Sequence, residues 1–293
     1  ANYPSNSMIG SDIYFDTSAI NSKFADGSYA ALTLIHEIGH ALGLEHPFSY
    51  AQAGGGGLSD PPYLTGAEDS TAWTVMSYED TSAQYYLNFS PLDTAALQYI
   101  YGPSKTARAG NDIYKVSSSA PNFIWDGAGT DTIDLSAVNQ GATIFLTPGY
   151  WGFVGSQQAA TITSSGQVTV NFGSIIENLT GSSFADKLYG NDTDNLIAGG
   201  LGNDRLDGLA GNDVLIGGLG DDQLNGGVGI DTAQFEGSYD RYKTSNSQSA
   251  FFVTDKGSNG EGMDVLINVE RLKFLDKSVA IDLDGHAGIA VKV

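Results

Sequence analysis

Apolar and polar positions follow two different rhythms along this chain. Between Tyr29 and Leu42 the spacing is helical, with Leu32, Ile35, Gly39 and Leu42 on one stripe and His36 and His40 on another. Gly43 supplies a stop, because a residue just past a helix often takes a positive φ. A second helix is predicted from Ser90 to about Tyr101. Ser90 caps it, Pro91 suits its first turn, Asp93 takes the reciprocal capping position, and Gly102-Pro103 ends it. Its core face is expected to carry Leu92, Ala95, Ala96 and Tyr99. Ile13-Tyr14-Phe15 reads as a strand. Residues 48–70 read as a long irregular segment, in which Tyr63, Glu68 and Asp69 are candidates to hold a cation.

From Gly181 a nine-residue period takes over, with units beginning at Gly181, Gly190, Gly199, Gly208, Gly217 and Gly226. Their sixth positions are Asp186, Asn195, Asp204, Asp213, Asp222 and Asp231; their eighth are Leu188, Ile197, Leu206, Leu215, Leu224 and Ala233. The unit from Gly199 to Asp207 matches G-G-x-G-x-D-x-U-x, the calcium repeat of parallel β-rolls. Two units are predicted to make one coil, with the glycines turning and the apolar position pointing inward. Alternate units then stack, placing Asp186, Asp204 and Asp222 in one column and Asn195, Asp213 and Asp231 in the other. Calcium takes six to eight oxygen ligands, which carboxylates and turn carbonyls supply. The five aspartates are therefore candidate calcium ligands, and Asn195, lacking the charge, predicts weaker binding near its end. Alternating stretches at 142–146 and 167–170 fit a sheet or sandwich, and 251–253, 263–267 and 271–274 read as strands closing the roll.

The charge sharpens this. The 293 residues carry 34 acidic and 13 basic side chains, a net charge of -21. That disfavours nucleic acid and anionic membranes and favours hard cations. Block 181–234 holds nine Asp and no Glu, against only Lys187 and Arg205. Its folding is expected to depend on calcium. Cysteine is absent, so calcium is the expected replacement for disulfides in an extracellular protein. No run of residues suits stable membrane insertion.

Three of the four histidines fall in His36-Glu37-Ile38-Gly39-His40-Ala41-Leu42-Gly43-Leu44-Glu45-His46. This is the long H-E-x-x-H-x-x-G-x-x-H pattern. One helical turn brings His36 and His40 to one zinc ion, and Gly43 lets the chain turn so that His46 arrives from another side. Glu37 is positioned as general base towards a water, and Glu45 reads as a surface residue or one that supports the ligands from behind. A methionine turn beneath the ligands belongs to the metzincin pattern. In Val75-Met76-Ser77-Tyr78, Met76 would be an apolar floor and Tyr78 could reach the metal or a developing oxyanion.

These strings, with SPLDTAALQYIYG at 90–102 and the nonapeptides, resemble the serralysin-type secreted zinc metalloproteases. The resemblance implies an α+β metzincin-like portion at 1–104, followed at 105–293 by an all-β parallel β-roll or sandwich with flanking and capping strands. It implies zinc on His36, His40 and His46, catalysis by Glu37 and Tyr78, several calcium ions, protein or peptide substrates, and an extracellular location. Family members carry a larger N-terminal portion than the 35 residues preceding His36. On this reading the N-terminal part of the protease domain is lacking, and a separate N-terminal segment is a candidate partner. The alternative is a non-enzymatic calcium-dependent binding or scaffold module, or one piece of a split protease.

Overall fold

The computed structural model describes residues 24, 27–48, 64, 66–79, 88–247, 250–257 and 260–281. The strand expected at 13–15, Tyr63 and His286 lie outside them. The chain divides into two compact units, Ala1–Gly102 and Pro103–Val293.

In the first unit, helix α1 spans Tyr29–Ala41 and helix α2 spans Pro91–Tyr101. Ser28 caps α1 by accepting the Ala31 N–H. Gly43 follows at φ +94°, and the Leu44 N–H turns back to donate to Gly39 O. Ile35, Leu44, Val75 and Met76 form a small core, packed by Leu32, Ile38, Phe89, Ala96 and Leu97. The expected core face of α2 is rotated. Tyr99 is 71% exposed, whereas Asp93 and Gln98 are buried. The cause is Asp93, whose carboxylate is drawn inward by three donors described below.

Among the described residues the second unit contains eighteen strands: β1 (Ile113–Lys115), β2 (Asn122–Ile124), β3 (Thr132–Asp134), β4 (Ala142–Phe145), β5 (Trp151–Val154), β6 (Gln167–Val170), β7 (Asn178–Thr180), β8 (Lys187–Asn191), β9 (Leu196–Leu201) and β10 (Arg205–Leu209). They continue as β11 (Val214–Leu219), β12 (Gln223–Asn225), β13 (Thr232–Gln234), β14 (Tyr242–Asn246), β15 (Phe251–Asp255), β16 (Met263–Ile267), β17 (Arg271–Lys273) and β18 (Ser278–Ala280). One sheet has the order β1-β3-β7-β9-β11-β13-β17-β18, the other β14-β15-β16-β12-β10-β8-β4-β5-β6-β2. The nonapeptides alternate between the sheets, so that β8, β10 and β12 pair in parallel on one side and β9, β11 and β13 on the other.

The eighth positions make two buried ladders. Ile133, Leu179, Ile197, Leu215, Ala233 and Leu272 face Ile144, Leu188, Leu206, Leu224 and Leu266, all at most 1% exposed. Burying each large aliphatic side chain contributes about 1.5–3 kcal/mol. The segments at 263–267 and 271–273 extend the coils in parallel register, and antiparallel β15 and β18 close the two sheets. From the unit at Gly199 onward the fourth turn position requires glycine: at Gly220, φ is +147° and a Cβ would lie 1.7 Å from Gly202 O.

Candidate metal centres

Helix α1 presents His36 and His40 on one face, and the turn at Gly43 returns His46 towards them. His46 Nε2 lies 3.2 Å from both His36 Nε2 and His40 Nε2. The other ring nitrogens are taken: His36 Nδ1 lies 2.7 Å from Val75 O, and His40 Nδ1 2.9 Å from Leu44 O. Each Nδ1 therefore carries the proton, leaving Nε2 with its lone pair outward. Burial lowers the His36 pKa; burial, then the neighbouring His40 and His36, lowers that of His46 to about 4. The three imidazoles thus meet through nitrogens that cannot all hydrogen-bond to one another. Ligands about 2.05 Å from a tetrahedral ion stand about 3.3 Å apart, so this donor set fits zinc.

The surroundings are those of an open cleft. Glu37 lines a cavity of about 280 Å³ with Tyr29, Thr33, His36, Ser77 and Tyr78. The Tyr78 ring stacks on His36 at 5.9 Å and meets His46 at 4.7 Å. Burial, then the charge of Glu37, raises the Tyr78 pKa, so the phenol keeps its proton. Glu45 is exposed.

Beneath the histidines sits Met76, 1% exposed, with Sδ 2.6 Å from where a Cβ on Gly39 would stand. Its turn is held by Asp93, which accepts from Thr74 Oγ1 at 2.6 Å, Val75 N at 2.8 Å and Ser90 N at 3.0 Å. Asp93 thus fixes the residue whose carbonyl orients His36. Asp69 accepts from the Ser77 hydroxyl, a structural role beside its expected one.

In the second unit the aspartate columns form as stacked rungs. Asp204 Oδ1 accepts the Asp186 N–H, Asp222 Oδ1 that of Asp204, Asp213 Oδ1 that of Asn195, and Asp231 Oδ1 that of Asp213, each at 2.8 Å. In all four aspartates Oδ2 is buried with no hydrogen-bond partner. Burial is the leading cause that pushes Asp204 and Asp213 up to about 7, Asp222 to about 6, and Asp231 upward. A buried acceptor turned towards a glycine turn fits a hard cation.

Asp186 differs. Its Oδ1 accepts from Ala142 N and its Oδ2 from Ser182 N, both at 2.6 Å. Asn195 likewise closes its own turn, accepting the Asn191 N–H. The turns at 181 and 190 lack the glycine that the units from 199 to 226 carry at their fourth position, where Phe184 and Thr193 stand instead.

Several acidic groups were not named as ligands from the sequence, although 126–134 reads as a degenerate nonapeptide and Gly260, Gly262 and Asp264 keep part of the repeat spacing. Asp112, Asp126 and Asp131 converge, with ligand atoms within 4.8 Å of one another. Asp126 Oδ2 and Asp131 Oδ2 are buried without partners, and burial raises Asp131 to about 6. Glu177 and Glu270 extend the second column by accepting the N–H groups of Asp131 and Asp231. Asp264 extends the first by accepting that of Asp222. Glu177 stands eighteen residues before Asn195, one coil, which was a usable signal. Asp264 and Glu270 are put out of phase by the β14–β15 hairpin.

A family profile described as "RTX calcium-binding nonapeptide repeat (4 copies)" matches residues 117–139, 173–206 and 199–233. Serralysin from Proteus mirabilis is 37% identical over 194 residues, covering 58% of this chain and 37% of that protein. At the family level the chain matches the serralysins and their RTX calcium-binding repeats over part of its length. Serralysin G from Dickeya chrysanthemi is 35% identical over 216 residues, 67% of this chain and 43% of the relative. Metalloprotease AprA from Pseudomonas entomophila (strain L48) is 34% identical over 206 residues, 61% and 40% of the two chains. The serralysin-like chain therefore spans about two fifths of the length of these relatives. Among its described residues no helix is long and apolar enough to cross a membrane.

Proposed function

We propose that the first unit carries the zinc site of a metalloendopeptidase, within an α+β metzincin-like portion at 1–104, and that the 105–293 region is its calcium-dependent β-roll. The observation that carries this is the meeting of three Nε2 atoms at 3.2 Å contacts, two of them with Nδ1 held by backbone carbonyls, beside Glu37 in an open cleft. His36, His40 and His46 would hold zinc, which when bound supplies Lewis-acid polarisation of a carbonyl and acidifies water. Glu37 takes the proton from the attacking water and passes it to the leaving amine. The Tyr78 phenol, protonated at neutral pH, donates a hydrogen bond to the developing oxyanion. Met76 is the apolar floor, and Gly43 the turn that delivers His46. The substrate is an extended protein segment, and the location extracellular, where calcium is available to the roll. Asp204, Asp213, Asp222 and Asp231 are the calcium ligands with free oxygens; Asp112, Asp126 and Asp131 make a further site, and Asp186 serves chiefly as a turn cap.

The test is cleavage of casein or a labelled peptide, with and without chelator, beside Glu37→Ala. Cleavage is expected to disappear in chelator and in the variant; equal turnover by Glu37→Ala sinks the mechanism. A second reading, one piece of a split or longer protease, is favoured by the 37–43% coverage of the relatives. It predicts turnover only after an N-terminal serralysin segment is added.

A further inference from the structure

The outer face of the larger sheet carries a pattern that neither zinc nor calcium uses. Leu188, Ile144, Val168 and Ile124 point into the core, so their strand neighbours point outward. Register aligns these outward residues across strands. Tyr189 lies beside Phe145, Trp151 beside Thr169, and Thr169 beside Phe123. The β4–β5 pairing sets Thr143 opposite Phe153 and continues to bring Phe145 beside Trp151. Four aromatic rings thus cross five adjacent strands, a stripe of roughly 19 Å at the usual strand spacing. Phe145 and Tyr189 stack at 4.8 Å with planes 13° apart, and the exposed Tyr150 leans on Phe145 at 5.6 Å. The stripe rings are half-buried.

A second aligned row runs beside it: Arg205, Lys187, Thr143 and Phe153. Lys187 and Arg205 are the only cations of block 181–234, yet they stand on neighbouring strands, exposed. Neither makes an ion pair: among the described residues that geometry is met by Arg241 and Asp255 alone. Lys187, Thr143 and Phe153, with Gln140 and Ser156, also line an open cavity of about 460 Å³.

We infer that this face binds an acidic oligosaccharide, a chain of pyranose rings bearing carboxylates. The negative faces of half-buried rings attract the C–H faces of sugars. The row of Thr143, Gln140 and Ser156 offers groups for hydroxyls, and the unpaired Lys187 and Arg205 take the carboxylates. A linear stripe suits a linear polymer. An anionic bilayer is disfavoured because the half-buried rings leave little apolar surface to insert.

The test uses the full chain in calcium buffer, carrying Glu37→Ala so that binding is read apart from any cleavage. The probe is a hexasaccharide of alternating glucuronate and N-acetylglucosamine, titrated by calorimetry and Trp fluorescence. Saturable binding is expected, weakened about tenfold in Lys187→Ala/Arg205→Ala and in Tyr189→Ala, with cellohexaose about tenfold weaker than the acidic sugar. These substitutions lie outside the core, and an unchanged calcium midpoint by circular dichroism verifies the fold. Without any substitution, the hexasaccharide is expected to protect Lys187 from an amine-reactive reagent. The proposal is overturned by no binding, by undiminished binding in the variants, by equal binding of polyglutamate, or by an absence of Lys187 protection. Association with phosphatidylserine vesicles but not with the sugar overturns it in favour of a membrane.

Discussion

At Asp93 one carboxylate joins helix α2 to the turn beneath the candidate zinc ligands. Buried and accepting three hydrogen bonds, it sets Val75, whose carbonyl orients His36. Asp93→Ala is expected to cost about 3 kcal/mol of stability in the first unit, measured by urea denaturation followed through Trp73 fluorescence. Zinc affinity is expected to fall about tenfold or more, read by competition with a chromophoric chelator, because an orienting partner one step from the metal is lost. Gly39→Ala acts on the same contact from above. Its Cβ would stand 2.6 Å from Met76 Sδ and 3.5 Å from Leu44 and Phe89. The overpacking is expected to destabilise the unit by about 1–3 kcal/mol, and Gly39→Ala combined with Met76→Ala should recover part of that loss in the same denaturation assay.

At the scale of the element, a β-roll turn is a balance between burying a carboxylate and neutralising it. In the metal-free fold Asp204 and Asp213 rise to about 7, Asp222 to about 6 and Asp264 to about 8, chiefly through burial. The sign follows from linkage: a carboxylate with a raised pKa makes the fold bind more protons than the unfolded chain. The penalty is absent below about pH 4, the unfolded value, and complete above the folded ones. In chelator, far-UV circular dichroism is therefore expected to show more β-structure at pH 5 than at pH 8.5; with calcium, order should persist at pH 8.5. Asp213→Asn should act in opposite directions in the two conditions. It raises the calcium midpoint several-fold, and in chelator at pH 8.5 it stabilises the roll or leaves it unchanged.

For the whole molecule, charge sets the dependence on ions. A net charge of -21, part of it carried in stacked columns, repels itself, and each bound calcium offsets two charges. Chelation is expected to enlarge the radius of gyration measured by small-angle X-ray scattering at neutral pH. Raising sodium chloride should reverse this only in part, since screening weakens repulsion without supplying the buried Oδ2 atoms with a ligand. Full recompaction by salt alone would show the columns to be electrostatic and not coordinating.

The sequence by itself determined whatever rests on local spacing. His36 and His40 share a helix face because they stand four apart, and the nine-residue phase of Asp and Leu fixes both the rungs and the two buried ladders. Tertiary structure decided the contacts made between distant residues. Asp112, Asp126 and Asp131 meet only when separate turns stack. Asp264 and Glu270 join their columns across an inserted hairpin that hides their phase. Tyr99 turned outward because Asp93, read from sequence as a helix cap, found two further donors in a turn some eighteen residues away. Asp186 and Asp204 occupy the same position of the same motif, yet one is capped by its own turn and the other left with a buried free oxygen. The reason is physical: a carboxylate becomes a metal ligand or a turn cap according to the donors that surround it, and folding brings those donors.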